Sequence, residues 1–133
     1  MKLAKKRDRI LSFTIDFLIY SFIILIFGYF YGVKTENNYE INGFPAFFLF
    51  LIGIGLWPIN ESFTGQTFGK KIVGLKVVNI ENVKEISGLQ AFVRFGFGFF
   101  DCLFIGLLVA SINKNKQRIG DLVANTIVID LNK

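Results

Sequence analysis

Asp16 is the one charged side chain between Ile10 and Val33, a run dominated by Ile, Leu, Phe, Tyr and Gly. As a helix that run would reach roughly 36 Å, enough for a hydrocarbon core of about 30 Å. Arg9 stands just before it and seven residues from Asp16. Two helical turns nearly close on themselves, so the pair shares a face roughly 10 Å apart along the axis. A carboxylate at that depth costs about 3 kcal/mol on insertion scales. Two roles repay such a cost: a site that binds a small cation or exchanges a proton, or an ion pair that holds helices together. Carboxylates suit the first role because burial and a nearby guanidinium pull their proton affinity in opposite directions.

The same spacing recurs in Arg94 and Asp101, also seven apart, inside the apolar run Leu89–Ile112. Glu61 ends the middle run three residues after Pro58. That proline frees the carbonyl of Ile54 and predicts a kink beside Asn60 and Glu61. The polar pair there reads first as a helix end emerging into the cytoplasm, and second as part of an ion site. With Asp121 in the tail, the candidate ion- or ligand-binding residues are Arg9, Asp16, Glu61, Arg94, Asp101 and Asp121.

Other chemistry is poorly supplied. The chain has no histidine, hence no imidazole base and no histidine-ligated metal. Cys102 is the sole cysteine, so no intrachain disulfide forms, and a thiol in an apolar helix is a weak nucleophile. Gly98-Phe99-Phe100-Asp101 lacks the Gly-x-Gly-Asp spacing of intramembrane aspartyl proteases. Gly65-Gln66-Thr67-Phe68-Gly69-Lys70-Lys71 has three residues between glycines where a phosphate loop needs four, and no Ser or Thr after the lysine. It reads instead as a tight turn at the membrane surface, with both lysines toward lipid phosphate. The expectation is a protein that is not an enzyme, with no cofactor and no metal.

These residues need elements to hold them. In 133 residues, 53% hydrophobic and with 17 phenylalanines, there is room for one domain with little mass outside a bilayer. The fold class expected is a membrane protein, mostly α-helical. Three apolar helical segments cover about 10–33, 44–63 and 89–112, with a small cytoplasmic two-stranded β element from Ile72–Ile80 and Thr126–Leu131. Pro45 suits the first turn of the second segment, and Ser87-Gly88-Leu89-Gln90 forms a capping box that starts the third. Gly28 and Gly32 share a face open to close helix packing. Gly69–Val78 and Gly120–Ile129 echo one another as glycine turn, short apolar piece and β-branched strand, an internal repeat in outline.

The net charge of +5 comes largely from the N-terminus, where Lys2, Lys5, Lys6, Arg7 and Arg9 precede the first run. They read as a cytoplasmic anchor on anionic lipid and make nucleic acid unnecessary. The first run reads as a retained signal anchor, with the Lys34–Gly43 loop outside and the Gly65–Gly88 segment inside. Three full spans would then strand Lys114, Lys116 and Arg118 outside and separate the two β pieces across the membrane. A bent or re-entrant third segment, broken near Gly96, Gly98, Asp101 and Gly106, removes both conflicts and keeps both termini in the cytoplasm.

Arg9 with Asp16, Gly65-Gln66-Thr67-Phe68-Gly69-Lys70-Lys71-Ile72-Val73-Gly74, and Arg118-Ile119-Gly120-Asp121 together resemble the RDD family of small membrane proteins. That family is named for one arginine and two aspartates, which Arg9, Asp16 and Asp121 match; Glu61 matches an acidic residue often found before the glycine-rich turn. Gly120 stands where members often have histidine, and Asn125 where they often have glycine. The resemblance implies a multi-pass cell-membrane protein with a suggested role in transport, including cation/proton exchange for some members. Any proton relay here must run on carboxylates. The expected function is transport or ion handling; the alternative is a scaffold or regulatory module that binds a partner protein or anionic lipid. Expected partners are the lipid bilayer, a small cation or proton, and further copies in a homo-oligomer or membrane complex, since three segments are too few to enclose a pathway.

Overall fold

The computed structural model describes the backbone of residues 2–102 and 105–132, and side chains there except over 99–107. The chain opens with a short strand, β1 (Lys2–Leu3), and enters a 26-residue helix, α1 (Lys6–Tyr31). A two-stranded ribbon follows, β2 (Val33–Lys34) with β3 (Tyr39–Glu40). The chain returns through α2 (Phe44–Ile54), a π turn over Gly55–Ile59, and α3 (Asn60–Thr64). Helix α4 (Phe68–Val73) leads into β4 (Leu75–Asn79). Helices α5 (Gly88–Cys102) and α6 (Ile105–Ile112) come next, and α7 (Ile119–Ala124) leads into β5 (Thr126–Asp130).

Helix α1 is inside out. Its buried residues are Arg9, Ser12 and Asp16, at helical spacing on one face, while Phe17, Leu18, Phe22, Leu25 and Phe30 are exposed. Water would not tolerate that arrangement over such a length, whereas lipid favours it. Lys6–Tyr31 and Phe44–Thr64 are both long and apolar enough to cross a membrane. Pro45 lies in the first turn of α2 as expected, and Pro58 sits inside the π turn, which absorbs the missing donor where a kink was anticipated.

Among the described residues the third apolar run gives no third helix of spanning length. It gives α5 and α6, of 15 and 8 residues, and neither has the reach of a span. Gln90 near the start of α5 donates to the Ala124 carbonyl (2.8 Å), and Ser111 near the end of α6 accepts from Lys6 (2.6 Å). Both ends of this pair therefore lie beside the sheet. The capping box is present: Gln90 Oε1 accepts from the Ser87 N–H (2.9 Å), and Ser87 Oγ accepts from the Gln90 N–H (3.2 Å).

The sheet has three strands, in the order β1-β5-β4, all antiparallel, not two. The N-terminal Lys2 and Leu3 complete it, a pairing that two residues cannot announce in sequence. The expected strand Ile72–Ile80 starts later, at Leu75, because Ile72 and Val73 close α4. One face of the sheet packs Leu75, Val77 and Val128 against Ala4, Ile86 and Ala91, so the sheet is built onto the first turns of α1 and α5.

The internal echo is structural. Each copy is a six-residue helix, one left-handed residue and a five-residue strand: α4, Gly74 (φ 83°) and β4, then α7, Asn125 (φ 53°) and β5. Equivalent residues are 51 apart, from Phe68 and Ile119 onward. The antiparallel register pairs Val77 with Val128, its own equivalent. A local two-fold axis therefore passes through that pair. Each copy also lies against a long helix, α4 on α1 and α7 on α5.

Candidate functional site

The buried face of α1 meets the loops and short helices that the sheet holds beneath it. A Cβ on Gly69 would fall onto the backbone carbonyl of Ser12, so only glycine lets α4 lie this close to α1. That contact delivers the start of α4 to Asp16. The Thr67 hydroxyl donates to one Asp16 oxygen (2.5 Å) and the Gly69 N–H to the other (2.7 Å). Thr67 is also the N-cap of α4, accepting from the Lys70 N–H (3.4 Å). The glycine-rich motif is thus a cradle for a carboxylate of its own chain. Among the described residues Asp16 has no ion pair; both its partners are neutral donors.

Arg9 shares the face of Asp16, as its spacing predicted, but does not pair with it. Its guanidinium donates to an Asp121 oxygen and to the Lys116 carbonyl. Asp121 receives Arg94 on its other oxygen and also accepts from the Arg118 N–H (3.1 Å), as the N3 residue of a capping box for α7. Arg94 reaches on to Glu61 (2.9 Å) and the Thr126 hydroxyl (2.8 Å). Glu61 completes the chain with Lys70 at 3.6 Å. It is 7% exposed, so it is a buried partner and not the emerging helix end first expected.

Glu61 and Asp121 are linked by ion pairs to Arg9, Lys70 and Arg94, and Asp16 adjoins them through Thr67 and through its charge on Lys70, so three acids and three bases gather in one balanced cluster. They come from α1, α3, α4, α5 and α7. Sequence reasoning missed Lys70. Both lysines of the motif were placed toward lipid phosphate, but α4 turns Lys70 inward and leaves only Lys71 outside, over the Phe68 ring. Arg94, singled out for its spacing from Asp101, pairs with Glu61 and Asp121; the Asp101 side chain lies outside the described residues. Gly28 and Gly32, expected to seat a second helix, instead face Ile41 and Tyr39 of the chain's own ribbon loop.

Above the charges lies an aromatic layer. Tyr20 packs edge-on against Trp57 (5.1 Å between centroids) and donates to the Leu49 carbonyl (2.8 Å). Trp57 in the π turn stacks in turn on Phe95 of α5 (6.3 Å). Tyr20 and Trp57 lie about one helical turn along the chain from Asp16 and Glu61, and Phe95 follows Arg94 directly.

Burial would hold Asp121 neutral, but Arg94 and Arg9 beside it win and keep its carboxyl well below the usual range. Its share of stability is present above the ordinary carboxylate range and is lost only as pH falls through the depressed value, so the Asp121 bridge persists through mild acid. Lys70 moves in the opposite sense to a surface pair. Burial pushes its ammonium below the usual lysine range; Glu61 and Asp16 oppose that, while Arg94 and Arg118 add to it. The cost of keeping it charged is present below its depressed pKa and is relieved as pH rises toward the ordinary lysine value. In an NMR titration of the lysine side chains, the Lys70 signal is expected to move below the ordinary lysine range. A Lys70 midpoint within that range would contradict this placement.

The chain belongs to the RDD family, whose profile matches residues 3–125. It is similar to the uncharacterized membrane protein YteJ of Bacillus subtilis (strain 168), 25% identical over 97 residues, which cover 72% of this chain and 58% of that protein. No solved structure matches. Family, relative and inside-out helices agree on a membrane protein with a mostly helical fold and a small antiparallel sheet.

Proposed function

We propose that this protein handles a small cation or proton at Asp16, with the arginine-linked network as a fixed frame around it. The observation that carries the reading is the difference among the buried acids. Glu61 and Asp121 are saturated by cations of their own chain, whereas Asp16 is held by a hydroxyl and a backbone N–H and keeps lone pairs to spare. An acid fixed by neutral donors at the edge of a bilayer can exchange a proton for a cation without breaking an ion pair. No step of this role calls for enzymatic chemistry.

In the plasma membrane, α1 and the Phe44–Thr64 helix span, α5 and α6 form a re-entrant pair, and the N-terminus and sheet lie in the cytoplasm. The five basic residues before Ile10 and the lysines of the Gly65–Gly88 segment support that orientation. So few segments enclose no pathway alone, so the transporting form is a homo-oligomer or part of a complex. A second reading, a scaffold or regulatory module, is favoured by the charge balance of the network, which suits it to holding helices together.

Everted vesicles separate the two. Under the first reading Asp16→Asn remains inserted but loses pH-dependent cation flux. A cysteine at Asn37 is then labelled from the everted lumen only and one at Lys84 from the bath. Wild-type vesicles without flux, in which Asp16→Asn alters assembly alone, would establish the second reading instead.

A further inference from the structure

The two copies of the helix-turn-strand unit expose matching positions. On α4 these are Phe68 (47%) and Ile72 (69%), with Lys71 beside them; on α7 they are Leu122 (40%) and Val123 (54%). Lys71 and Leu122, and Ile72 and Val123, are equivalent under the 51-residue shift. The inner faces of the same helices carry Gly69 and Lys70, or Gly120 and Asp121, into the charge network. Each helix is therefore polar on the side that faces protein and apolar on the side that does not.

Their position says what covers the outer faces. Helix α4 begins four residues after the Phe44–Thr64 span ends, and it packs on α1 at Ser12 to Asp16, about two to three turns into α1. Helix α7 packs on α5 in the same way, with Gly120 against Arg94 and Phe97. The local two-fold axis through Val77 and Val128 carries α4 onto α7, so the two helices hold equivalent places beside the sheet. In the membrane reading above, a helix that starts where a span ends lies at the boundary between headgroups and acyl chains. Exposed bases accompany these helices: Arg7 at the first turn of α1, Lys71 on α4 and Lys114 after α6. Cations just outside an apolar face match a phospholipid surface of negative charge.

We propose that α4 and α7 are a symmetric pair of interfacial helices that bind the cytoplasmic leaflet of an anionic bilayer. Phe68, Ile72, Leu122 and Val123 enter the acyl boundary, and Arg7, Lys71 and Lys114 lie against headgroup phosphates. The proposal rests on the membrane reading above and gives that leaflet a hold on both halves of the charge network.

The test uses the full chain with Cys102→Ser, reconstituted into liposomes of phosphatidylglycerol and phosphatidylcholine. Nitroxide labels are placed singly at Ile72, Val123 and Glu85, and at Phe22 and Phe50 within the spans. Power saturation then compares oxygen with a water-soluble nickel chelate. Labels at 72 and 123 are expected to favour oxygen and to report the same depth, shallower than 22 and 50. The label at 85 should favour nickel. The triple variant Arg7→Gln, Lys71→Gln, Lys114→Gln should bring 72 and 123 closer to water. Nickel access at 72 or 123, low access to both reagents as in a protein contact, or unequal depths would overturn the proposal. If 22 and 50 still favour oxygen in that event, the membrane reading stands; if they too favour nickel, that reading has failed first.

Discussion

Asp121→Asn is expected to lower stability by about 3–5 kcal/mol, the usual cost of removing one partner from a buried, hydrogen-bonded ion pair. Asp121 is 3% exposed and bridges two guanidiniums, so the amide leaves Arg9 and Arg94 facing each other with no negative charge between them. An asparagine still accepts from the Arg118 N–H and so keeps the start of α7 capped, which assigns the loss to charge and not to the cap. Adding Arg9→Met should recover part of the loss, because one unpaired cation then goes and Arg94 keeps Glu61. Reversible unfolding in detergent micelles measures both variants. A change below about 1 kcal/mol would place these residues among ordinary surface pairs.

Gly69→Val is expected to be the most damaging single change outside the charges. Overpacking in a core costs about 1–3 kcal/mol when side chains can shift. Here the obstacle is the Ser12 backbone carbonyl, inside a helix that cannot yield, with the Asp16 carboxylate beside it. Helix α4 must lift away, and Asp16 then loses the Gly69 N–H and the Thr67 hydroxyl together. Gly120→Ala is the milder control, since its Cβ would sit 3.1 Å from the Arg94 carbonyl oxygen and a small shift relieves it. Thermal unfolding should therefore rank Gly69→Val well below Gly120→Ala, and limited proteolysis should cut the Gly65–Gly74 region first. Equal midpoints for the two would deny α4 its seat on α1.

Two of the three expected apolar segments were legible as helices long enough to span because lipid sets a length and a composition, and both are written locally in the chain. The helix starts at Phe44 and Gly88 were legible for the same reason, since Pro45 and the Ser87–Gln90 box act within one turn. The family positions Arg9, Asp16, Glu61 and Asp121 all reach the network, as does Arg94. What could not be read was who meets whom. Helical periodicity puts Arg9 and Asp16 on one face but says nothing of partners 112 and 53 residues away. Lys70 was hidden by the reading of Gly65–Lys71 as a surface turn, which has no inner face; the helix Phe68–Val73 has one and turns Lys70 onto it. Two-residue β1 gave no periodic signal and is fixed by its partner, β5.

In the proposed role Asp16 exchanges a proton for a cation within a frame that does not change. Proton release by the purified protein tests it most directly. In weakly buffered detergent, sodium or potassium chloride is added against choline chloride at constant ionic strength, and a pH dye follows the protons. Wild type is predicted to release protons with saturating dependence on the cation. Asp16→Asn should release none while unfolding at nearly the same temperature. Equal release from Asp16→Asn, or no release from wild type, would contradict the account.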